Sequence, residues 1–188
     1  MRYLATMAVC LAGAASVLVL TAWKQRPAPA LEQIERGKYL VNYGGCHDCH
    51  TPLKMTPQGP EPDMSRMLSG HPADLALPPA PLKEGPWFAA TAGMTAWAGP
   101  WGVSYAANLT PDINTGLGIW TEYMFINAMR KGQHMGAGRQ LLPPMPWRNL
   151  AGLSDADLKA VYAYLRTVPR IRNRVPDPMP PGGQLVFE

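Results

Sequence analysis

The feature that most constrains this chain is the pentapeptide Cys46-His47-Asp48-Cys49-His50, which places two thiols and an imidazole within about one turn of backbone. The 188 residues hold only three cysteines and four histidines. In a chain of this composition, a random C-x-x-C-H match is expected about once in a thousand sequences. Three cysteines are too few for a disulfide scaffold. The spacing therefore indicates a bound group rather than a crosslink.

Three kinds of site use such closely spaced cysteines: a haem attachment site, half of a zinc site and a redox-active thiol pair. Zinc would need two further ligands, and only His71 and His134 remain as histidines outside the motif. In C-x-x-C-H, the two thiols form thioethers to haem vinyl groups, and the histidine ligates iron. The motif predicts one haem c, bound covalently through Cys46 and Cys49, with His50 as an axial ligand.

A methionine sulfur on the opposite face of the iron would raise the reduction potential. Met145 lies in the segment Pro143-Pro144-Met145-Pro146-Trp147, where the prolines favour a stiff, non-helical loop. It is the predicted second metal ligand. The alternatives are an apolar plug at Met145, with Met135, His134 or His71 as the ligand. His47 is expected to point away from the iron, at the surface.

Three helices are predicted from local signals. The first covers Leu31 to Tyr43 and stops at Gly44-Gly45, the second runs from the cap Thr121 to about Lys131, and the third begins at Ser154 and ends before Pro169. No segment shows the alternation of a strand. These local signals predict helices and no strands, together with a transmembrane or signal helix at the N-terminus.

A loop-rich insert is predicted between the first two helices. Residues 51–107 contain ten prolines and six glycines, and they end in a cluster of large aromatic side chains. Aromatic side chains are costly to leave in water, which predicts an irregular loop packed on the domain. The tail, residues 169–188, has no apolar period and is expected to be extended on the surface or loose. The predicted units are 1–30, 31–168 and 169–188.

An apolar stretch precedes the predicted domain. Residues 4–22 are apolar apart from two threonines and a serine, and as a helix they would nearly match the roughly 30 Å of a bilayer core. The stretch is either a membrane helix or a cleaved signal peptide. We expect a retained single-pass helix in a bacterial cytoplasmic membrane, with the haem domain on the periplasmic or outer side. Cys10 is then an inert thiol facing the membrane.

Composition limits the classes of partner. With 47% hydrophobic residues the chain can bury one core. Lys and Arg number 17 against 13 Asp and Glu, but three of the cations lie in the first 26 residues. The remaining charges nearly balance, whereas a nucleic-acid-binding domain normally shows a strong basic excess. No nucleic-acid partner is predicted.

The C-x-x-C-H motif, the Met145-Pro146-Trp147 loop and a C-terminal helix with paired tyrosines together resemble a single-haem class I cytochrome c, over roughly residues 31–168. The segments Asn108 to Asp112 and Thr115 to Trp120 are also similar to haem domains of membrane-bound dehydrogenase cytochrome subunits. Those subunits typically carry several haems, whereas this sequence has one motif. The resemblance implies an all-α fold in which the first and last helices cross closely.

The same resemblance implies further site residues. Gly37 is expected to contact Tyr162 or Tyr164 at the helix crossing. Asn108, Trp120 and Trp147 are expected in the haem pocket, with an indole N–H of either tryptophan donating to a propionate; the alternative is that all three merely pack. His50 should donate its second ring nitrogen to a backbone carbonyl, and Pro57, Pro60 and Pro62 are within chain reach.

Three functions follow from these features. The leading hypothesis is a one-electron carrier that works beside the membrane through brief encounters with redox proteins. The alternative is a fixed cytochrome subunit of a respiratory or dehydrogenase complex, which exposed apolar area in the insert would favour. A haem enzyme or gas sensor would need an open iron position, against which Met145 argues. The sequence therefore predicts electron transfer without catalysis.

Overall fold

The computed structural model describes residues 30–80 and 86–181 of the chain. The apolar stretch 4–22 and Cys10 lie outside these residues. Among the residues that are described, no helix is both long enough and apolar enough to cross a bilayer.

Three of the helices begin and end close to where the sequence predicts them. The helices are α1 (Leu31–Tyr43), α2 (Cys46–His50), α3 (Glu122–Lys131), α4 (Trp147–Leu150) and α5 (Asp155–Leu165). Thr121 Oγ1 accepts a hydrogen bond from Met124 N at 3.1 Å, and Ser154 Oγ accepts one from Asp157 N at 3.0 Å. Side-chain caps of this kind satisfy backbone N–H groups that a helix leaves unpaired. The predictions for α1, α3 and α5 are confirmed.

Helices α1 and α5 cross at a point where only a glycine fits. Gly37 is buried, and a Cβ added there would overlap the Ala160 carbonyl and lie 2.9 Å from Tyr164 Cβ. Of the two expected tyrosine contacts, Tyr164 is the one found. Tyr162 instead donates its hydroxyl to the Trp120 carbonyl at 2.6 Å, which ties α5 to the segment before α3.

The apolar core lies between these helices and the insert. Its buried members are Val41, Leu68, Leu117, Phe125, Ala128, Met129, Leu158, Leu165 and Val168. Most come from the helices and the segments that flank them. Leu68 is contributed by the insert and is fully buried, so the insert is part of the domain rather than an appendage.

The prediction of an all-α fold is wrong, because the insert forms two small antiparallel sheets. Strand β1 (Leu53–Thr56) pairs with β2 (Gly59–Pro62); in the second sheet β4 (Ala96–Gly99) lies between β3 (Ala89–Ala90) and β5 (Gly102–Tyr105). Neither β2 nor β4 shows a regular alternation: β2 contains two prolines, and Ala96, Trp97 and Ala98 are all buried in succession. A strand buried on both faces lacks the period-two pattern that identifies half-exposed strands.

The segment after α5 is extended and largely exposed within the described residues, as predicted. It is anchored to the insert rather than loose: Asn173 is buried, and Met179 pairs with Val103 at the edge of β5.

Candidate functional site

The C-x-x-C-H motif forms the short helix α2, which follows the end of α1 after a two-residue turn. Cys46 and Cys49 lie on this helix as free thiols, and both are half-buried. Burial raises the pKa of the Cys46 thiol to about 11 and also raises the pKa of the Cys49 thiol. Both thiols are therefore neutral at physiological pH.

His50, at the end of α2, is buried with its ring held in one orientation. Its Nδ1 donates a hydrogen bond to the Ala107 carbonyl at 2.7 Å. Burial lowers the pKa of His50, which favours the neutral imidazole. Because Nδ1 carries the proton, the lone pair lies on Nε2, which has no hydrogen-bond partner among the described residues. The lone pair of His50 Nε2 is thus available to coordinate a metal.

The carbonyl that accepts from His50 is not one of the three expected from chain reach. Pro57, Pro60 and Pro62 lie in or beside the β1–β2 hairpin, whereas the acceptor, Ala107, follows β5 and is 57 residues from His50 in the sequence. The insert folds back, so that its last residues return to α2. The expectation failed because nearness along the chain does not measure nearness in a folded insert.

His47 makes a local contact. Its Nδ1 lies 3.0 Å from Thr51 Oγ1, and the same hydroxyl accepts a hydrogen bond from Leu68 N at 3.0 Å. His47 is half-buried rather than fully at the surface. It therefore contributes to the connection between α2 and the insert.

Met145 lies in a loop between two short elements, and the loop is fastened to the insert. Pro143, Pro144 and Pro146 are exposed, whereas Met145 is half-buried and packs against the apolar core. Ser104 of β5 is buried, and its Oγ donates to the Pro143 carbonyl at 2.5 Å. A cavity of about 410 Å³ opens beside the loop. The cavity is lined by Gln140, Leu141, Pro143, Pro144, Met145, Trp147 and Arg148.

The other candidate ligands differ in their burial and in whether their donor atoms already have hydrogen-bond partners. His71 is fully buried, with Nδ1 2.9 Å from Thr95 Oγ1 and Nε2 3.2 Å from the Leu75 carbonyl, so both ring nitrogens have partners. His134 and Met135 are half-buried in a short 3₁₀ turn. The His134 ring meets the edge of Trp120, with 5.1 Å between the ring centroids. Among the described residues, no three His, Cys, Asp or Glu side chains gather as a possible metal site.

The three expected pocket residues occupy different settings. Asn108 is buried, and both hydrogens of its amide group go to protein acceptors, including the Ile171 carbonyl at 2.8 Å. Trp120 is half-buried and packs against the same apolar core as Cys46 and Met145. Trp147 is half-buried beneath the Arg148 guanidinium, which lies 4.6 Å from its ring centroid. The structure therefore brings Cys46, Met145 and Trp120 to one apolar core.

Two residues at this site, Ala107 and Ser104, were not predicted from the sequence. Ala107 contributes a backbone carbonyl, and its side chain carries no chemistry that would mark it. Ser104 lies on a strand that the sequence did not reveal. Both belong to the segment from β5 to Asn108, which contacts the His50 side and the Met145 side of the site.

Comparisons with known proteins show which sequences this chain is similar to. The chain is 30% identical over 175 residues to a nicotinate dehydrogenase subunit of Pseudomonas putida, an alignment that covers 87% of this chain and 12% of that protein. It is 32% identical over 131 residues to the gluconate 2-dehydrogenase cytochrome c subunit of Pantoea cypripedii, covering 70% of this chain and 22% of that subunit. No family model matches the chain.

A third relative is the fructose dehydrogenase cytochrome subunit of Gluconobacter japonicus, 31% identical over 144 residues, with 75% of this chain and 23% of that subunit covered. The chain thus spans less than a quarter of the length of each of these three curated relatives. The similarities support a relationship to the cytochrome c subunits of dehydrogenases.

Proposed function

We propose that this chain is an electron-transfer module that binds one haem c covalently through Cys46 and Cys49, with His50 and Met145 as axial ligands. The observation that carries the proposal is the state of His50. Its Nδ1–H is fixed on the Ala107 carbonyl, and its Nε2 has no hydrogen-bond partner within the described residues. A histidine that ligates a metal is normally oriented in this way by its other nitrogen.

The residues present fit a haem. Two free, neutral thiols lie one turn apart on α2, directly before the buried imidazole. Imidazole nitrogen and thioether sulfur are both established haem ligands, and the sulfur favours a higher reduction potential. Cys46 and Met145 both pack against the apolar core, which offers the surroundings that a macrocycle requires. Bound haem would supply reversible one-electron chemistry.

The protein residues would hold the group and restrict its chemistry. The two thiols would hold the group covalently, and His50 and Met145 would both bind its iron. With both ligands bound, oxygen and peroxide would have no place to coordinate, which is consistent with electron transfer without catalysis. Because both thiols are half-buried rather than enclosed, the edge bonded to them would lie near the surface.

Roles for the remaining pocket residues are part of the same proposal. Neither the Trp120 nor the Trp147 indole N–H has a hydrogen-bond partner among the described residues, which leaves both available to a propionate. Asn108 has no N–H to spare, because its amide hydrogens are bonded to protein oxygens. Its role in the pocket is to fix the backbone beside Ala107.

We further propose that the module works with a dehydrogenase, as a subunit rather than as a free carrier. The insert exposes neighbouring aromatic side chains, Trp87 at 81% and Phe88 at 58%. Exposed apolar area of this kind marks interaction surfaces. The relatives are named as subunits of nicotinate, gluconate and fructose dehydrogenases. Since thioether attachment of haem takes place outside the cytoplasm in bacteria, the proposed location is the outer side of the cytoplasmic membrane.

Optical spectra of the oxidised and reduced protein test the cofactor. We expect the sharp bands of a low-spin haem, one haem per chain, and colour that stays with the protein after extraction with acidified acetone. Colourless protein, or pigment that is fully extracted, would contradict covalent haem c.

Substitutions on the insert test the partner. We expect that Trp87→Ser with Phe88→Ser removes a co-purifying dehydrogenase catalytic subunit from native cells and leaves the optical spectrum unchanged. Tyr43→Ser is the matched control, because Tyr43 is also 81% exposed but lies on α1. Equal recovery of the catalytic subunit with all three proteins would contradict the insert as the docking surface.

A further inference from the structure

A buried polar network connects the tail to the loop beside His50, and Asn173 is at its centre. Asn173 is 5% exposed, and its side chain makes three hydrogen bonds to the backbone of the loop. Its Nδ2 donates to the Ser69 carbonyl at 2.7 Å and to the His71 carbonyl at 2.8 Å, and its Oδ1 accepts from Ala73 N at 2.8 Å. The Asn173 side chain thus bonds to backbone groups on both sides of Gly70.

Gly70 connects these Asn173 hydrogen bonds to His50. Its N–H donates to the His50 carbonyl at 2.8 Å, and the next N–H, of His71, donates to the Ala106 carbonyl at 2.9 Å. Gly70 has φ of +78°, and an added Cβ would lie 2.6 Å from the Ala107 carbonyl oxygen. The loop therefore packs directly on the backbone whose carbonyl accepts from His50 Nδ1.

The tail also holds the other side of that carbonyl. Asn108 follows Ala107, and its Nδ2 donates to the Ile171 carbonyl at 2.8 Å and to the Asn173 carbonyl at 3.3 Å. Thr115 Oγ1 accepts from Asn173 N at 3.0 Å. The Ala107 carbonyl is thus fixed from two directions by a segment more than 60 residues away in the sequence.

We infer that Asn173 is a positioning residue for His50: by fixing the Ala107 carbonyl, the tail sets the Nδ1–H···O hydrogen bond and, through it, the reduction potential of the haem. This rests on the proposed function. A hydrogen bond that donates from the ligating ring raises the basicity of the ligand. A more basic imidazole stabilises the oxidised iron, so a weaker bond should raise the potential.

The test uses holoprotein carrying Asn173→Ala, measured by potentiometric titration and by exchange of the His50 Nδ1 proton in NMR spectra. We expect faster proton exchange and an upward shift of the potential. The expected shift corresponds to about a threefold change in the electron-exchange equilibrium constant, or roughly 28 mV for one electron at 59 mV per tenfold. Methionine ligation should persist, because the substitution touches only the His50 side.

Two further variants separate positioning from stability. Arg130→Ala is the control: it removes hydrogen bonds to the Ala151 carbonyl and to Asp155, none of which involves His50. It should lower stability and leave the potential unchanged. If Asn173→Ala does not yield folded protein, Thr115→Val removes the half-buried hydroxyl that accepts from Asn173 N, and should shift the potential in the same direction.

Lowered stability with an unchanged potential and unchanged proton exchange would overturn the inference and leave Asn173 as a purely structural residue. Equal shifts in the Asn173 and Arg130 variants would overturn it as well. A wild-type protein that binds no haem covalently would contradict the proposed function instead, so the two failures are distinguishable.

Discussion

The two sides of the proposed haem site are built differently. On the His50 side, the ligand and its supports Leu68, His71 and Asn108 are all buried, and the hydrogen bonds come from the insert and the tail. On the Met145 side, the ligand is half-buried in a loop whose three prolines are exposed, and the Ser104 hydroxyl fastens that loop to the insert. The His50 side is buried and hydrogen-bonded, and the Met145 side lies near solvent.

In the proposed site, the two sides would therefore have different tasks: one orients the histidine, and the other supplies a second ligand near the surface. A buried network fixes the orientation and tautomer of His50 and, in the proposed site, would influence the properties of the iron. The surface loop would supply the proposed second ligand, Met145, and would leave the nearby haem edge accessible to a partner. The segment from β5 to Asn108 is hydrogen-bonded both to His50 and to the Met145 loop, so the insert contacts both sides of the proposed site. Substitutions on each side can test this division.

The largest effect is expected from removing the attachment itself. Cys46→Ser with Cys49→Ser should abolish covalent haem and leave little folded protein, because the domain then loses apolar material from its centre. Acid-acetone extraction and the yield of soluble protein provide the measurement. Cys10→Ser, outside the motif, should match the wild type. Stable, folded apoprotein would show that the core does not need the haem.

Gly70→Ala tests the rigidity of the His50 side. The added Cβ would overlap the backbone at Ala106 and Ala107, so we expect a loss of about 3 kcal/mol in the free energy of unfolding. Chemical denaturation gives the value. Gly59→Ala is a matched control, since Gly59 also has positive φ, of 116°, but has no atom within 4 Å of the added Cβ. Equal losses in both variants would mean that backbone strain alone is responsible.

Met145→Ala tests the second ligand. We expect loss of the far-red iron–sulfur charge-transfer band and a fall in potential on the order of 0.1 V, within the roughly 0.8 V range that axial ligands span. Met135→Ala is the control, because Met135 is half-buried in the neighbouring 3₁₀ turn. If the band survives in the Met145 variant and disappears in the Met135 variant, the ligand assignment is wrong.

Ser104→Ala should have a smaller effect, confined to the Met145 side. Loss of the hydrogen bond to Pro143 costs about 1 kcal/mol, so added imidazole should displace the methionine roughly fivefold more readily. Optical titration with imidazole measures the displacement. Ser65→Ala removes an exposed serine that bonds only to Asp63 and should leave the titration unchanged. If the wild type and both variants gave identical titration curves, the Ser104 hydrogen bond would not stabilise the Met145 loop.

The sequence predicted the parts of the molecule that depend on local signals. The caps at Thr121 and Ser154 and the glycines after Tyr43 set the helix ends, and the C-x-x-C-H spacing identified the candidate ligand His50. The strands, the Ala107 acceptor and the role of Asn173 escaped prediction. The strands pair within local hairpins, but β2 contains two prolines and β4 has three successive buried residues, so neither shows an alternating pattern. The Ala107 acceptor and the Asn173 contacts depend on residues far apart in the sequence, and a backbone carbonyl leaves no mark on residue identity.

Carbon monoxide binding to the native reduced protein, followed optically at neutral pH, tests the central claim of a closed iron site most directly. With His50 and Met145 both bound, we expect no rapid binding, together with fast reoxidation by a one-electron acceptor. Rapid, stoichiometric binding of carbon monoxide would reveal an open or labile position, contradict the electron-transfer assignment and favour a haem enzyme or gas sensor.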